Sequence, residues 1–129
     1  MKIIVTRDPG NDSEWIELDF QDIVAIQSWD RAVIVHTAND HFYPLYPGLS
    51  NFEKQAVKMG FRKLDRTNLV NLHKIKHYDN EQGLVFFETP ITNKSKYSTI
   101  SFEKNKKLKT EIEDWVEKNL RNEGKTGET

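Results

Sequence analysis

The sequence predicts a mainly β protein with small antiparallel sheets, one short helix and a longer amphipathic helix at the C-terminus. Most of the chain consists of short runs rich in β-branched and aromatic residues, separated by Asp, Asn, Gly and Ser, which is the pattern of strands joined by turns. Apolar residues recur at helical spacing in only two segments. With 129 residues, no internal repeat and no internal linker, the chain is predicted to form one domain.

Five strands are predicted in the first half of the chain, at residues 2–6, 15–18, 23–28, 32–37 and 41–46. The links between the last three strands are short, so we expect them to form an antiparallel meander. Pro44 has no amide hydrogen to donate to a neighbouring strand. We therefore expect the third strand of the meander at a sheet edge or at a bulge.

A short helix is predicted next, between Ser50 and Gly60. Ser50 and Glu53 form the S-x-x-E pattern, in which each side chain bonds to a free backbone amide of the first helical turn. Gly60 predicts the end of the helix, because glycine adopts left-handed backbone angles easily. An apolar stripe on this helix is expected to face a sheet. It consists of Phe52, Ala56, Val57 and Met59.

The second half of the chain predicts further strands at residues 75–78, 84–89 and 97–102, with a turn at 79–83. From about Glu103 the apolar spacing becomes helical, which predicts a C-terminal amphipathic helix. The residues of its apolar face are Leu108, Ile112, Trp115, Val116 and Leu120. Residues 122–129 are polar with two glycines and are expected to form a flexible tail.

The formal net charge of −1 conceals a strong asymmetry along the chain. Residues 1–22 hold six acidic and two basic residues, whereas residues 54–78 hold seven basic residues and one acidic residue. Six lysines and a single glutamate follow between residues 94 and 109. In residues 61–75 the basic and amide side chains are crowded between apolar ones without a helical period, which suits a rigid loop presented to an anionic partner.

The composition argues against several other classes of protein. There is no cysteine, so the chain has no disulfide or thiolate metal site, and there is no apolar run of the ~20 residues that a membrane span requires. We therefore expect a cytoplasmic protein. His36 and His41 are predicted to face each other across a hairpin, and His73 and His77 to share a strand face, but neither pair has a third ligand spaced to join it. No catalytic residue, metal site or cofactor is predicted.

Residues 60–75, GFRKLDRTNLVNLHKI, resemble the central signature of LytTR DNA-binding domains. That signature consists of an aromatic residue, a basic residue, a His-Arg-Ser-like triplet, two apolar residues, an Asn and a final Ile. Here Asp65-Arg66-Thr67 occupies the triplet, and Leu69-Val70-Asn71 and Ile75 follow in register. The upstream order of strands and helix also agrees, so the resemblance covers roughly residues 23 to 108.

This resemblance implies small antiparallel sheets in an elongated β sandwich whose loops enter successive major grooves of DNA. The implied function is sequence-specific binding of double-stranded DNA by a bacterial transcriptional regulator similar to response regulators. On this basis we divide the chain into N-terminal strands at 1–22, a LytTR-like domain at 23–121 that includes the C-terminal helix, and the tail at 122–129.

Carried over by position, the three DNA-reading loops of the family fall at residues 29–31, at 63–68 and after Tyr97. The resemblance places Arg66 where a side chain reads a base, and the planar fork of an arginine can bond to guanine O6 and N7 together. Arg31 could do the same in the neighbouring groove. The expected DNA-contacting residues are Trp29, Asp30, Arg31, Lys63, Arg66, Thr67, Asn68, Lys104, Lys106 and Lys107. Of these, Lys63, Thr67 and the three later lysines are expected to contact phosphates.

Structural alternatives exist for several of these residues. Arg66 could pair with Asp65 or Glu103, Trp29 could cover the edge of the core, and the three later lysines could form the solvated face of the C-terminal helix. Asn71 is expected to bond to backbone in its own turn.

The chain also departs from the family at two points. Asp65 stands where members often have His, and could aim Arg66 or accept from cytosine N4. Ser101 is followed by Phe102 and Glu103, where members often have a basic residue.

Family members usually follow a receiver domain, and nothing in this chain resembles one. The resemblance also implies a homodimer on direct repeats of double-stranded DNA, and some stand-alone members are controlled by a membrane-bound partner protein. The acidic N-terminal strands and the helix face of Ile112, Trp115 and Val116 are candidate contact surfaces, unless that face packs on its own sheet. The alternative function is a protein–protein interaction module that does not bind DNA.

Overall fold

The computed structural model describes residues 1–45 and 49–126, which form ten strands, two α-helices and two short 3-10 helices. The strands are β1 (Lys2–Thr6), β2 (Ile16–Asp19), β3 (Ile23–Trp29), β4 (Ala32–Thr37), β5 (His41–Pro44), β6 (Phe61–Asp65), β7 (Asn68–Asn71), β8 (His77–Asp79), β9 (Leu84–Phe86) and β10 (Tyr97–Thr99). The helices are α1 (Leu49–Lys58) and α2 (Phe102–Thr126), and the 3-10 helices are Phe20–Asp22 and Leu72–Lys74. The mainly β class predicted from the sequence is confirmed.

All strand pairs are antiparallel and lie in two sheets. The larger sheet has the order β2-β1-β5-β4-β3-β7-β6, and the smaller one has the order β10-β9-β8. The predicted meander is confirmed as β3-β4-β5. The strands β1 and β2, with the acidic residues in and around β2, lie at one edge of the larger sheet, and the basic hairpin of β6 and β7 lies at the other.

The position expected for Pro44 was wrong, because β5 lies inside the sheet between β4 and β1. The strand tolerates proline because its two halves have different neighbours. Phe42 pairs with Val35 of β4, whereas Pro44 is the last strand residue and pairs with Val5 of β1. The missing amide hydrogen therefore falls beyond the pairing with β4.

Residues 61–71 form a β-hairpin rather than the loop expected from their composition. Arg62 of β6 pairs with Val70 of β7, and a bulge between Lys63 and Asp65 precedes the tight turn. Gly60, which precedes the hairpin, has φ of +97°, so the predicted left-handed end of α1 is confirmed. The side chains of Ser50 and Phe52 lie outside the described residues, and so does the predicted hydrogen-bonded cap between Ser50 and Glu53.

The larger sheet separates two apolar cores. Leu69 and Val70 are adjacent on β7 and fully buried, and they belong to different cores because successive strand residues point to opposite faces. On the side of Leu69, α1 contributes Ala56, while Val57 is exposed and so departs from the predicted stripe. The buried residues on the other side are Val24, Ala25, Leu64, Val70, Leu72, Ile75, Val85, Ile100 and Ile112.

The helix α2 packs on its own domain through the face that had been a candidate dimer surface. Ile112 is buried, and Trp115 and Val116 pack against the second core, so the alternative that this face packs on its own domain is confirmed. The helix continues to Thr126, so residues 122–126, expected in the flexible tail, are helical. In the described part of the chain, no helix is both long and apolar enough to cross a membrane.

Candidate nucleic-acid interface

Two hairpin tips lie side by side at one end of the larger sheet. The strands β3 and β7 are antiparallel neighbours, with Gln27 opposite Asn68. The turn that follows β3 and the turn that precedes β7 are therefore at the same end. The amide of Ser28 donates a hydrogen bond of 2.8 Å to the carbonyl of Thr67, which ties the two tips together.

The first tip, between β3 and β4, carries Trp29, Asp30 and Arg31. Asp30 has φ of +47° and Arg31 has φ of +66°, which are the left-handed angles of the tight hairpin turns that glycine and asparagine normally occupy. For an arginine this conformation is unfavourable. Trp29 is 66% exposed and therefore does not cover the core edge, and Arg31 is exposed as well.

The second tip, between β6 and β7, is organised by Asp65. One carboxylate oxygen of Asp65 accepts from the amide of Thr67 at 2.7 Å and from the hydroxyl of Thr67 at 2.9 Å. The other oxygen accepts a hydrogen bond from the hydroxyl of Thr99. Within the described chain, the hydrogen bonds of Asp65 therefore go to its own turn and to the neighbouring segment, and none goes to Arg66.

Arg66 projects from this braced turn and is exposed. Within residues 1–45 and 53–123, it makes no hydrogen bond or ion pair with another side chain. Glu103, one of its expected structural partners, pairs instead with Lys107 at 3.2 Å. The guanidinium of Arg66 is therefore available to a partner outside the chain.

Asn68, one of the residues expected to contact DNA, is almost completely buried at the edge of the second tip. The residue is only 6% exposed, and its amide lies 2.9 Å from the hydroxyl of Thr99 in either orientation. Asn68 therefore braces the hairpin from inside. Thr67 is exposed, with its hydroxyl already donated to Asp65.

Asn71 holds backbone, as expected from the sequence. Its side chain donates to the carbonyl of Ile23 at 2.9 Å and accepts from the amide of His73 at 3.1 Å. The bond to Ile23 joins the end of β7 to the start of β3, and the bond from His73 holds the turn that follows β7. The hairpin that presents Arg66 is thus anchored at both ends.

The third basic region is helical rather than a loop, because α2 begins at Phe102. The Ser101 hydroxyl accepts from the amide of Lys104 at 3.2 Å and so caps the first turn. Lys106 places its Nζ atom 4.5 Å from the centroid of the Phe102 ring. Lys107 pairs with Glu103, as expected if it belonged to the solvated face of the helix.

The start of α2 is held beside the second tip. The amide of Ser101 donates to the carbonyl of Leu64 at 2.9 Å, so the helix begins next to β6. Lys63, Arg66 and Lys104 consequently border one shallow depression. The basic residues of two separate sequence clusters meet at this point.

A cleft of about 530 Å³ separates the two tips from residues 94–99. Its walls include Trp29, Thr67 and Lys96. Lys96 donates to the carbonyl of Thr37 at 2.9 Å and also to that of Asp40, and burial lowers the pKa of its ammonium. This bracing role of Lys96 has no signal in the sequence, because its contact with the β4–β5 turn joins residues almost sixty positions apart.

The histidine pairs do not form a metal site. The rings of His36 and His41 lie 6.4 Å apart across the hairpin, as expected, but the Nε2 atom of His36 is 2.9 Å from the side-chain oxygen of Gln27. His73 lies in a 3-10 helix and packs edge-to-face against Trp115, whereas His77 lies on β8, so the strand face expected for this pair was wrong. Within the described residues, no three His, Cys, Asp or Glu side chains cluster as metal ligands would.

Comparisons with known proteins agree with this geometry. Residues 13–113 match the family model of the LytTr DNA-binding domain, a match that begins before the predicted boundary at residue 23 and includes β2. A similar solved structure is the LytTr DNA-binding domain of a protein from Bacillus cereus described as a methyl-accepting/DNA response regulator. It superposes with a TM-score of 0.62 at 19% identity, over 85% of this chain and 96% of that one. No sequence among curated proteins matches significantly.

Proposed function

The chain belongs to the LytTR family of DNA-binding domains, and from this premise we propose that it binds double-stranded DNA sequence-specifically and regulates transcription in a bacterium. The two hairpin tips and the start of α2 would enter the major groove. This function requires a cytoplasmic protein. Nothing in the proposal involves catalysis or a cofactor.

The observation that carries this proposal is that Arg66, which has no side-chain partner among the described residues, lies on a turn that Asp65 has fixed. A rigid tip reduces the conformational entropy lost on binding, since the turn is already ordered before DNA arrives. The arginine fork matches guanine O6 and N7 in the major groove, and each such bidentate contact is worth roughly 1–3 kcal/mol of discrimination between bases. Arg66 is accordingly our assignment for direct base contact.

The neighbouring groups support the assignment. Lys63 and Lys104 border the depression beside Arg66, where phosphates flanking the contacted base would lie. At the first tip, Trp29, Asp30 and Arg31 would meet the adjacent part of the groove. The left-handed backbone of Arg31 is consistent with a functional role for this tip, because such strain is concentrated at binding sites.

Two copies of the chain are proposed to occupy direct repeats as a homodimer, and a membrane-bound protein could control them. Ile112 is buried, and Trp115 and Val116 pack partly buried against the second core, so this face is a weaker candidate for these contacts. The sheet edge formed by β1, β2 and the acidic segment that joins them, away from the basic β6–β7 hairpin, is the proposed surface for a protein partner.

Selection of bound sequences from a random DNA pool tests the proposal. We expect an enriched site, with repeats about one helical turn apart if two copies bind together. Affinity for the selected site should then be titrated at two salt concentrations. With ~6 phosphate contacts, affinity should fall roughly 10³-fold between 50 and 200 mM salt. Absence of enrichment together with salt-independent or undetectable binding would contradict DNA binding and favour the interaction module.

A further inference from the structure

Phe102 is the most exposed of the large apolar side chains that the structure describes, with 78% of its surface open to solvent. It is the first residue of α2 and follows Ser101, whose amide is bonded to β6. The ring is therefore carried on a rigid helix rather than on a mobile loop. Exposure alone would need no explanation, because single apolar residues are common on protein surfaces.

The position of Phe102 is what distinguishes it. Its ring lines the same depression as Lys63, Arg66 and Lys104. Trp15 offers a comparison. It is also well exposed, at 66%, but it precedes β2 at the opposite edge of the sheet. Phe102 is thus an exposed aromatic residue in the same depression as Arg66, the residue assigned to base contact.

One face of the Phe102 ring is already occupied by the ammonium of Lys106, 4.5 Å from its centroid. A cation is attracted to the face of an aromatic ring, so this contact fixes the position of both side chains. The rest of the ring remains open. It can neither donate nor accept a conventional hydrogen bond, and in the major groove the apolar feature that it could contact is the thymine C5-methyl group.

We propose that Phe102 contacts a thymine methyl group beside the base bound by Arg66, and that Phe102 is thereby a specificity-determining residue. The inference rests on the proposed function. It assigns an apolar contact to the position where the chain departs from the basic residue common in the family. Lys106, held by the ring, would neutralise a nearby phosphate.

The test uses the full chain and the site selected from the random pool, with each thymine replaced in turn by deoxyuridine, which lacks only the methyl group. We expect at least one replacement to weaken wild-type binding about fourfold, the amount expected for burial of one methyl group. Phe102→Ala should bind the thymine site roughly tenfold more weakly than the wild type, since it loses the buried ring surface. It should also no longer distinguish thymine from deoxyuridine at that position.

Three variants serve as controls. Phe102→Leu keeps an apolar side chain and should restore part of the thymine preference. Trp15→Ala removes a similarly exposed aromatic residue at the other edge and should bind a single copy of the selected repeat, where no second chain takes part, as the wild type does. Lys106→Ala should weaken binding but still prefer thymine to deoxyuridine. This variant separates the effect of losing the Phe102 ring from the effect of losing the Lys106 ammonium that the ring positions.

The outcomes separate this inference from the proposed function. A wild-type protein that selects no sequence would overturn both. If the wild type selects a site but Phe102→Ala still distinguishes thymine from deoxyuridine as the wild type does, the role of Phe102 is overturned and the proposed function stands. The same conclusion follows if no thymine in the site responds to replacement.

Discussion

At the scale of single residues, Asp65 and Asn68 hold the second tip, while Arg66 has no side-chain partner in the part of the chain that the structure describes. Asp65 accepts two hydrogen bonds from Thr67 and one from Thr99. Asn68 is buried beneath the same turn. The short polar side chains thus fix the backbone, and the long basic side chain between them carries the proposed contact with DNA.

Asp65→Ala should destabilise the fold and weaken DNA binding together. It removes the acceptor for the Thr67 amide and for two hydroxyl groups, so we expect a loss of about 1–2 kcal/mol in the free energy of unfolding. Urea denaturation measures this loss. Asp114→Ala removes an exposed carboxylate from α2 and serves as the control, with little change expected. Equal stability of the two variants would contradict the bracing role.

Arg66→Ala should leave stability unchanged and relax sequence preference, because the side chain has no partner within the described chain. Affinity for the selected site should fall by the roughly 1–3 kcal/mol of one bidentate base contact, with a smaller loss for unrelated DNA. Arg66→Lys keeps the charge without the fork and should recover phosphate attraction but not the preference. A variant that selects the same sequence as the wild type would refute the assignment of Arg66.

His36 should make stability depend on pH. Burial, with smaller contributions from Lys96 and His41, lowers the pKa of His36 from 6.5 to about 4. As pH falls below 6.5, His36 binds a proton in the unfolded chain, whereas in the folded protein it stays neutral until about pH 4. The free energy of unfolding is therefore highest above pH 6.5 and decreases as pH falls from 6.5 to 4. The urea midpoint should fall more between pH 7 and pH 5 for the wild type than for His36→Gln. His77→Gln, which removes an exposed imidazole, should behave as the wild type does.

At the scale of elements, α2 is secured to the domain by its apolar face and by one buried amide. Asn119 is 5% exposed and donates to the carbonyls of Leu72 and Ile75, each at 2.8 Å. Lys76 pairs with Glu123 at 2.9 Å one turn later. The predicted apolar face of the helix ends at Leu120, and the ion pair of Glu123 with Lys76 holds the turn that follows it.

Asn119→Asp should be at least as destabilising as Asn119→Ala, although Asp has the same shape as Asn. The carboxylate places a negative acceptor against two carbonyl oxygens, whereas alanine only leaves them unbonded, at a cost of about 1–3 kcal/mol. Thermal and urea unfolding would measure the difference. Asn39→Asp makes the same chemical change at an exposed position and should have little effect. A stable Asn119→Asp protein would rule out this anchoring arrangement.

At the scale of the whole molecule, the sheet order keeps apart two groups of charges that are already segregated along the sequence. Acidic residues of the first 22 positions lie on or near β1 and β2 at one edge, while β6 and β7 with the start of α2 bring positive residues together at the other. A net charge of −1 is therefore compatible with a positive binding surface. Such a surface attracts DNA and also makes affinity sensitive to salt.

Lys104→Ala and Lys2→Ala should differ in their effect, although each removes one lysine charge. Lys104 borders the depression beside Arg66, so its loss should weaken binding to all DNA sequences about equally and reduce the salt slope by about one. Lys2 begins β1 near the acidic edge and should leave both quantities unchanged. Fluorescence anisotropy at several salt concentrations measures them. If Lys2→Ala reduced the slope as much as Lys104→Ala, binding would not be confined to the proposed surface.

The sequence by itself determined the fold class, the β3-β4-β5 meander, the left-handed end of α1 and the family signature around Arg66. These features depend on local patterns, because turn residues, strand runs and helical spacing act within a few positions.

Only the tertiary structure decided which polar residues of the signature face outward and which are buried, where β5 lies in the sheet and which surface α2 covers. The reason is that the deciding contacts join distant positions, such as Asp65 with Thr99 and Asn119 with Leu72. Asn68 and Arg66 lie two positions apart in the same polar segment, so local composition does not predict that one is buried and the other exposed. Asn68 is buried because its side chain contacts Thr99 of β10.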